Sequence, residues 1–155
     1  MGSGKSTVAR LVAERAGAPH RDLDSMIEER CGMPTAEIFA TRGEAAFRAL
    51  ESELLPEALL PGAVVSLGGG APLAEANWAL LRERAITVWL DAPLAKLLAR
   101  AGGGTDRPLL AGRSAAQVRR LLEARLPRYR EADHRVRADR AAHVVAEEVL
   151  ELWRR

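Results

Sequence analysis

The sequence is short of cysteine, lysine and aromatic rings, and each shortage narrows what the chain can be. Cys31 is the single cysteine, which excludes an internal disulfide and any cysteine-only zinc cluster. His20, His134 and His143 share no metal-ligating spacing and read as surface or packing residues. The aromatic residues make up 4% of the chain. Trp78, Trp89 and Trp153 read as core or interface, so Tyr129 is the one ring placed to stack on an unpaired base, and nucleic acid is not expected as a partner. No apolar run approaches the ~20 residues that span a bilayer. The amino end shows no basic-then-apolar signal pattern. A soluble, cytoplasmic chain without a membrane partner is expected.

What is present points to a small anionic ligand. The formal charge is only +2, yet the basic residues are almost all arginine, Lys5 and Lys96 being the only lysines. Arginine offers a planar fork that pairs bidentately with phosphate and carboxylate. With 155 residues, 48% of them hydrophobic, the chain is long enough for one domain with a core and too short for two.

Apolar blocks alternate between two periods. Helices are predicted over 5–16, 24–31, 35–41, 43–60, 75–84, 94–101, 114–126 and 141–154, the seventh opened by a capping box of Ser114 and Gln117. Extended pieces are predicted at 18–21, 63–67, 86–90 and 134–138. Strands alternating with helices argue for an α/β fold with a mostly parallel sheet. The segment 102–114 combines three glycines with charges and Pro108, as a mobile lid over a ligand would.

The strongest motif opens the chain. Gly4, Lys5 and Ser6 supply the last three positions of the phosphate-binding loop G-x-x-x-x-G-K-[ST]. Gly2, Ser3, Gly4, Lys5, Ser6 and Thr7 would turn backbone N–H groups and a helix amino terminus toward phosphate oxygens. Lys5 would reach the outer phosphates of ATP, and the Ser6 hydroxyl would bind Mg²⁺. The first glycine of the pattern would lie two residues before Met1, and the strand that feeds such a loop is missing too. Either the chain starts at an internal methionine, or the domain tolerates the loss.

Further along come two aspartates, Asp22 and Asp24, just after the extended piece at 18–21, where ligands collect in open α/β sheets. One can support Mg²⁺ while the other takes a proton from an attacking hydroxyl. Read alone, the pair is equally an exposed turn with a helix-capping aspartate.

The segments Gly4–Thr7, Asp22–Asp24, Ile38–Phe39, Gly43–Arg48, Glu51, Leu67–Ala71, Arg107–Leu110 and Arg125–Tyr129 occur together in order. Taken jointly they resemble the shikimate kinase family from end to end, apart from the first strand. The resemblance implies a three-layer P-loop fold over residues 1–155, read as a single domain and a monomer. It also implies transfer of the γ-phosphate of ATP, with Mg²⁺, to the 3-hydroxyl of shikimate, giving shikimate 3-phosphate in aromatic amino-acid biosynthesis. Asp24 then looks like the base that contacts the acceptor, and Asp22 like an indirect Mg²⁺ partner through water. Arg48 and Arg125 look like the forks for the acceptor carboxylate, with Glu51 orienting Arg48. Gly68, Gly69 and Gly70 would let backbone approach the acceptor. Arg107 would reach across the transferring phosphate, and Arg100 and Arg140 would flank the adenine. On residues alone, Arg48 with Glu51 also fits a surface ion pair, and the glycines an ordinary strand-end loop. A sister kinase acting on gluconate, or a nucleotide-binding module without catalysis, stays open beside the first reading.

Overall fold

The computed structural model describes residues 3–101 and 114–154, without the side chains of 98–101. Its elements run α1 (Lys5–Ala16), β1 (His20–Asp22), α2 (Leu23–Cys31), α3 (Thr35–Ala58), β2 (Val64–Ser66), α4 (Glu75–Arg84), β3 (Val88–Asp91), α5 (Leu94–Ala101), α6 (Ala115–Tyr129), β4 (His134–Arg137) and α7 (Ala142–Trp153). A single 3₁₀ turn at Ala71–Leu73, which the sequence reading did not contain, joins β2 to α4.

The punctuation follows from local chemistry. Gly17 takes the left-handed conformation (φ 64°) and donates its N–H to the carbonyls of Ala13 and Glu14, closing α1. The capping box of α6 is present in both directions, Ser114 accepting from the Gln117 N–H and the Gln117 side chain accepting from the Ser114 N–H. Gly43 carries φ 80° and ψ 170° inside α3, which splits that helix into two arms. The expected helices over 35–41 and 43–60 are these arms, folded end to end across one residue that only glycine accommodates cheaply.

The strands are parallel, β1 beside β2 and β3 beside β4. Side chains alternate across the strand and so divide the core. Val64 packs with Val8, Val12, Val145 and Leu150 of α1 and α7. Val65, its neighbour, packs with Ile27, Ile38, Leu54 and Leu81 of α2, α3 and α4. Helices therefore cover both faces of the strands, giving the three-layer α/β arrangement.

The two strand pairs do not meet. An apolar slot of about 730 Å³ lies between them, walled by β2 (Val64, Val65) on one side and β3 (Val88, Leu90) on the other, with Ser3 and Lys5 at its mouth. Both walls are parallel edges, and the N–H and C=O groups of an edge await a partner strand. The expected mostly parallel sheet is thus present as two halves around a strand-shaped gap. Among the described residues no helix is long and apolar enough to cross a membrane.

Candidate active site

The carboxyl ends of β1 and β2 and the amino end of α1 converge. Gly4 caps α1 in the left-handed conformation (φ 87°), and its carbonyl accepts the Val8 N–H at 2.9 Å. The first turn of such a helix directs its N–H groups outward along the axis. No acidic residue stands in that turn, so its positive end is left for an anion. Ser3 is buried beneath the loop while Ser6 and Thr7 are exposed on it. Gly2 lies outside the described residues.

Asp22 ends β1 and caps α2, accepting the Ser25 N–H at 3.2 Å. Two hydroxyls also donate to its Oδ2, Ser66 at 2.6 Å and Ser6 at 2.8 Å. Burial acts to raise its pKa, but these donors outweigh burial and hold Asp22 below the usual carboxylate range. The phosphate loop and the strand end are thereby joined through one ionised carboxylate.

Asp24, one residue into α2, has the opposite character. Burial and the nearby Asp22 charge push its pKa up, against the pull of Lys5 and Arg48. Its Oδ1 is buried with no hydrogen-bond partner. An unsatisfied buried carboxylate oxygen is costly, which marks a place where a group is meant to arrive.

The next wall comes from the second arm of α3. Arg48 donates from Nη1 to Glu51 Oε2 at 2.5 Å and from Nε and Nη2 to Glu44 Oε1 at 3.3 and 3.1 Å. Glu51 is fully buried, and burial raises its pKa against the pull of Arg48. The face of Arg48 rests on Phe47, 5.5 Å from the ring centroid. The backbone opposite comes close: a Cβ at Gly70 would lie 2.2 Å from the Arg48 guanidinium, and one at Gly68 would lie 2.7 Å from both Asp24 Oδ1 and Glu51 Oε1, so a side chain at either would displace those groups. The Gly68–Gly70 loop is therefore pressed against the acids and the arginine.

Arg125 projects from α6 and is buried, with its Nε lacking a partner. Tyr129, one turn on, donates to the Gly69 carbonyl at 2.6 Å and ties α6 to the glycine loop. Lys5, Asp22, Asp24, Arg48, Gly69, Gly70 and Arg125 are thus brought to one region. Arg140 is not: it is engaged by the Arg137 carbonyl at 3.0 Å and by Glu148, beyond β4. Arg107, the lid segment 102–113 and the side chain of Arg100 lie outside the described residues. Nearby, Arg128 pairs with Glu75 and Glu131, and Arg135 with Asp91.

Three residues that the sequence reading left without a role sit at this site: Ser66, Tyr129 and Glu44. Ser66 had a signal, a lone hydroxyl inside the apolar run Ala63–Leu67. Tyr129 and Glu44 lie within the motif segments Arg125–Tyr129 and Gly43–Arg48, but their contacts span 60 residues or turn on side-chain direction, which spacing does not reveal.

Comparison with known proteins agrees with this geometry. The family model described as shikimate kinase matches residues 1–154. A shikimate kinase of Moorella thermoacetica is 44% identical, over 97% of this chain and 88% of that relative. One of Gloeobacter violaceus is 47% identical, over 97% of this chain and 86% of the relative. Among solved structures, shikimate kinase from Acinetobacter baumannii in complex with shikimate superposes with a TM-score of 0.93 at 36% identity, covering 99% of this chain and 88% of that one.

Proposed function

The chain belongs to the shikimate kinase family, and from that premise we propose that it transfers the γ-phosphate of ATP to the 3-hydroxyl of shikimate. The observation that carries the proposal is the set of unsatisfied groups around the glycine loop. Asp24 Oδ1 and Arg125 Nε are buried without partners on either side of it. A hydroxy acid meets both needs, its hydroxyl donating to Asp24 and its carboxylate accepting from Arg125 and Arg48.

In this reading the phosphates of ATP lie on Ser3–Thr7, with Lys5 neutralising charge at the transferring end. Asp24 accepts the proton of the attacking hydroxyl, a task for which a carboxylate with a raised pKa is suited. The glycine loop presents Gly69 and Gly70 to the acceptor. Tyr129 holds that loop to α6 and so sets the distance between Arg125 and the glycines.

The residues present suit Mg²⁺. Asp22 is held ionised beside the Ser6 hydroxyl, and both are hard oxygen donors. No group of three His, Cys, Asp or Glu able to hold a metal is found among the described residues. That fits an ion that keeps waters and phosphate oxygens in most of its shell. When bound, Mg²⁺ would neutralise charge on the phosphates. Arg107 is carried into the site by the family pattern alone, as the cation of a lid over 102–114, and Arg100 and Arg140 likewise as adenine neighbours. A single-domain, monomeric, cytoplasmic enzyme acting on small molecules completes the reading.

The test is shikimate-dependent ADP release by the purified 155-residue chain with Mg²⁺-ATP, against gluconate and no-acceptor controls. Turnover with shikimate alone is expected. Equal turnover with gluconate would overturn the acceptor assignment.

A further inference from the structure

Every edge of the Arg48 guanidinium is occupied, and the occupants differ in kind. Nη1 is taken by Glu51, which is 0% exposed and cannot leave without stranding a buried charge. One face lies on Phe47, and Gly70 leaves no room for a Cβ beside the guanidinium carbon and its two terminal nitrogens. The Nε–Nη2 edge, the side that accepts a carboxylate bidentately, is held by a single oxygen of Glu44 at 3.3 and 3.1 Å. Glu44 is 51% exposed and sits directly after Gly43, the kink in α3. It is therefore the one acid on Arg48 that water can take over.

The geometry points to Glu44 as an internal stand-in for the acceptor carboxylate, which must be displaced from Arg48 before the acceptor binds and which makes the site selective for anionic acceptors. This rests on the acceptor reading above and deepens it. A carboxylate entering the Nε–Nη2 edge replaces one charge-assisted pair with another, so the exchange is nearly balanced and an anionic acceptor gains its remaining contacts. A neutral polyol offers no such replacement. It would either leave the Arg48–Glu44 pair intact and lose the edge, or break the pair without compensation. Glu44 lies four residues before Arg48 on the same helical arm, so after release it can swing to solvent without backbone movement.

The alternative role for Glu44 is to steady Arg48 for binding, as Glu51 does. The two roles predict opposite signs. Glu44→Gln keeps the shape and removes the charge. If Glu44 is a stand-in, Glu44→Gln lowers the Kd for shikimate about two- to fivefold, the scale of an exposed ion pair. The Kd for shikimate methyl ester, which lacks the charge, stays within error, and so does the Kd for ATP. Titration calorimetry on the full chain measures all three, with Glu44→Ala as a second variant that should shift the shikimate value the same way. Weaker or unchanged shikimate binding in both variants overturns the inference while leaving the acceptor reading intact. Equal gains for acid and ester also overturn it, since they would show a steric effect and not a charge exchange. Failure of the unmodified chain to bind shikimate at all would overturn the acceptor reading and this inference with it.

Discussion

Arg48 and Glu51 stand three residues apart on one helical arm, Nη1 to Oε2 at 2.5 Å, with the acid fully buried and the arginine about a quarter exposed. The acid is therefore the fixed member of the pair and aims the arginine. Glu51→Gln keeps a hydrogen-bond acceptor but removes the charge. It should raise the KM for shikimate about tenfold or more, the scale of a lost charge-assisted hydrogen bond, with little change in the KM for ATP. A shared rise in both KM values would mean that Glu51 acts through general stability, which steady-state kinetics with each substrate varied in turn would reveal.

Arg125 is buried with its Nε unpartnered, which leaves that N–H for an arriving anion. Arg48→Ala and Arg125→Ala should each weaken shikimate binding by at least about tenfold while the fold persists. Arg125→Lys should recover only part of the loss, because a point charge cannot reproduce the fork. Calorimetric titration with shikimate checks both, and unchanged affinity in the two alanine variants would refute the clamp.

Asp24 yields a prediction in which activity and stability move apart. Burial raises its pKa above 3.8, so the folded state holds this proton more tightly than the unfolded chain does. Ionised Asp24 thus costs stability, and that cost is absent below the unfolded pKa and grows as pH rises through the folded one. Asp24→Asn should abolish transfer yet raise Tm by about 2 °C or more at pH 7, with the gain vanishing toward pH 3. In the unmodified enzyme the acid limb of kcat should fall above pH 3.8. Thermal melts of both chains across that range decide it; a Tm gain independent of pH would assign the effect to packing.

Much of this was legible in the chain. The helix stop at Gly17, the capping box at Ser114 and the apolar run at 63–67 each depend on neighbours within a few residues, and each was read within two or three positions. The break at Gly43, φ 80° and ψ 170°, likewise falls where the two predicted helices over 35–41 and 43–60 meet. The site was legible as residue types and spacing: Lys5, Asp24, Arg48 and Arg125. What holds them was not. Ser66 reaches Asp22 across 44 residues and Tyr129 reaches Gly69 across 60, and no local pattern encodes such pairs. Arg140, an adenine neighbour by the family pattern alone, pairs with Glu148 and the Arg137 carbonyl, contacts that no local pattern announces.

The Ser66–Asp22 bond carries a prediction of its own. The Ser66 hydroxyl donates to Asp22 Oδ2 at 2.6 Å and contributes most among the donors that hold this carboxylate ionised against burial. Asp22 has a depressed folded pKa, so it contributes stability above its unfolded pKa, and that stability is lost as pH falls through the folded value. Ser66→Ala should lower Tm at pH 7 by about 2–4 °C, corresponding to about 1 kcal/mol, and the difference should shrink in acid. It should also raise the Mg²⁺ concentration needed for half-maximal rate, a readout that loss of packing alone would not move. An unchanged Mg²⁺ requirement would confine Ser66 to a structural role.

The slot between β2 and β3 makes the last prediction. Its walls are two parallel strand edges and apolar side chains of α1, and its mouth opens at Ser3 and Lys5, where the phosphate loop begins. A strand inserted there would satisfy both edges and bury its side chains on both faces, so it should be β-branched throughout and not alternating. Each buried valine or isoleucine contributes about 1.5–3 kcal/mol before the entropy of ordering it is subtracted. An extension of six residues rich in valine and isoleucine, joined ahead of Met1 through a glycine-containing turn, should raise Tm by at least about 5 °C. It should also tighten ATP binding, because the first turn of the loop would then be anchored from below. The same six residues with alternate positions changed to lysine should do neither, since charged side chains cannot enter an apolar slot unpaired. Equal behaviour of the two extended chains in thermal melts would show that the slot does not take a strand.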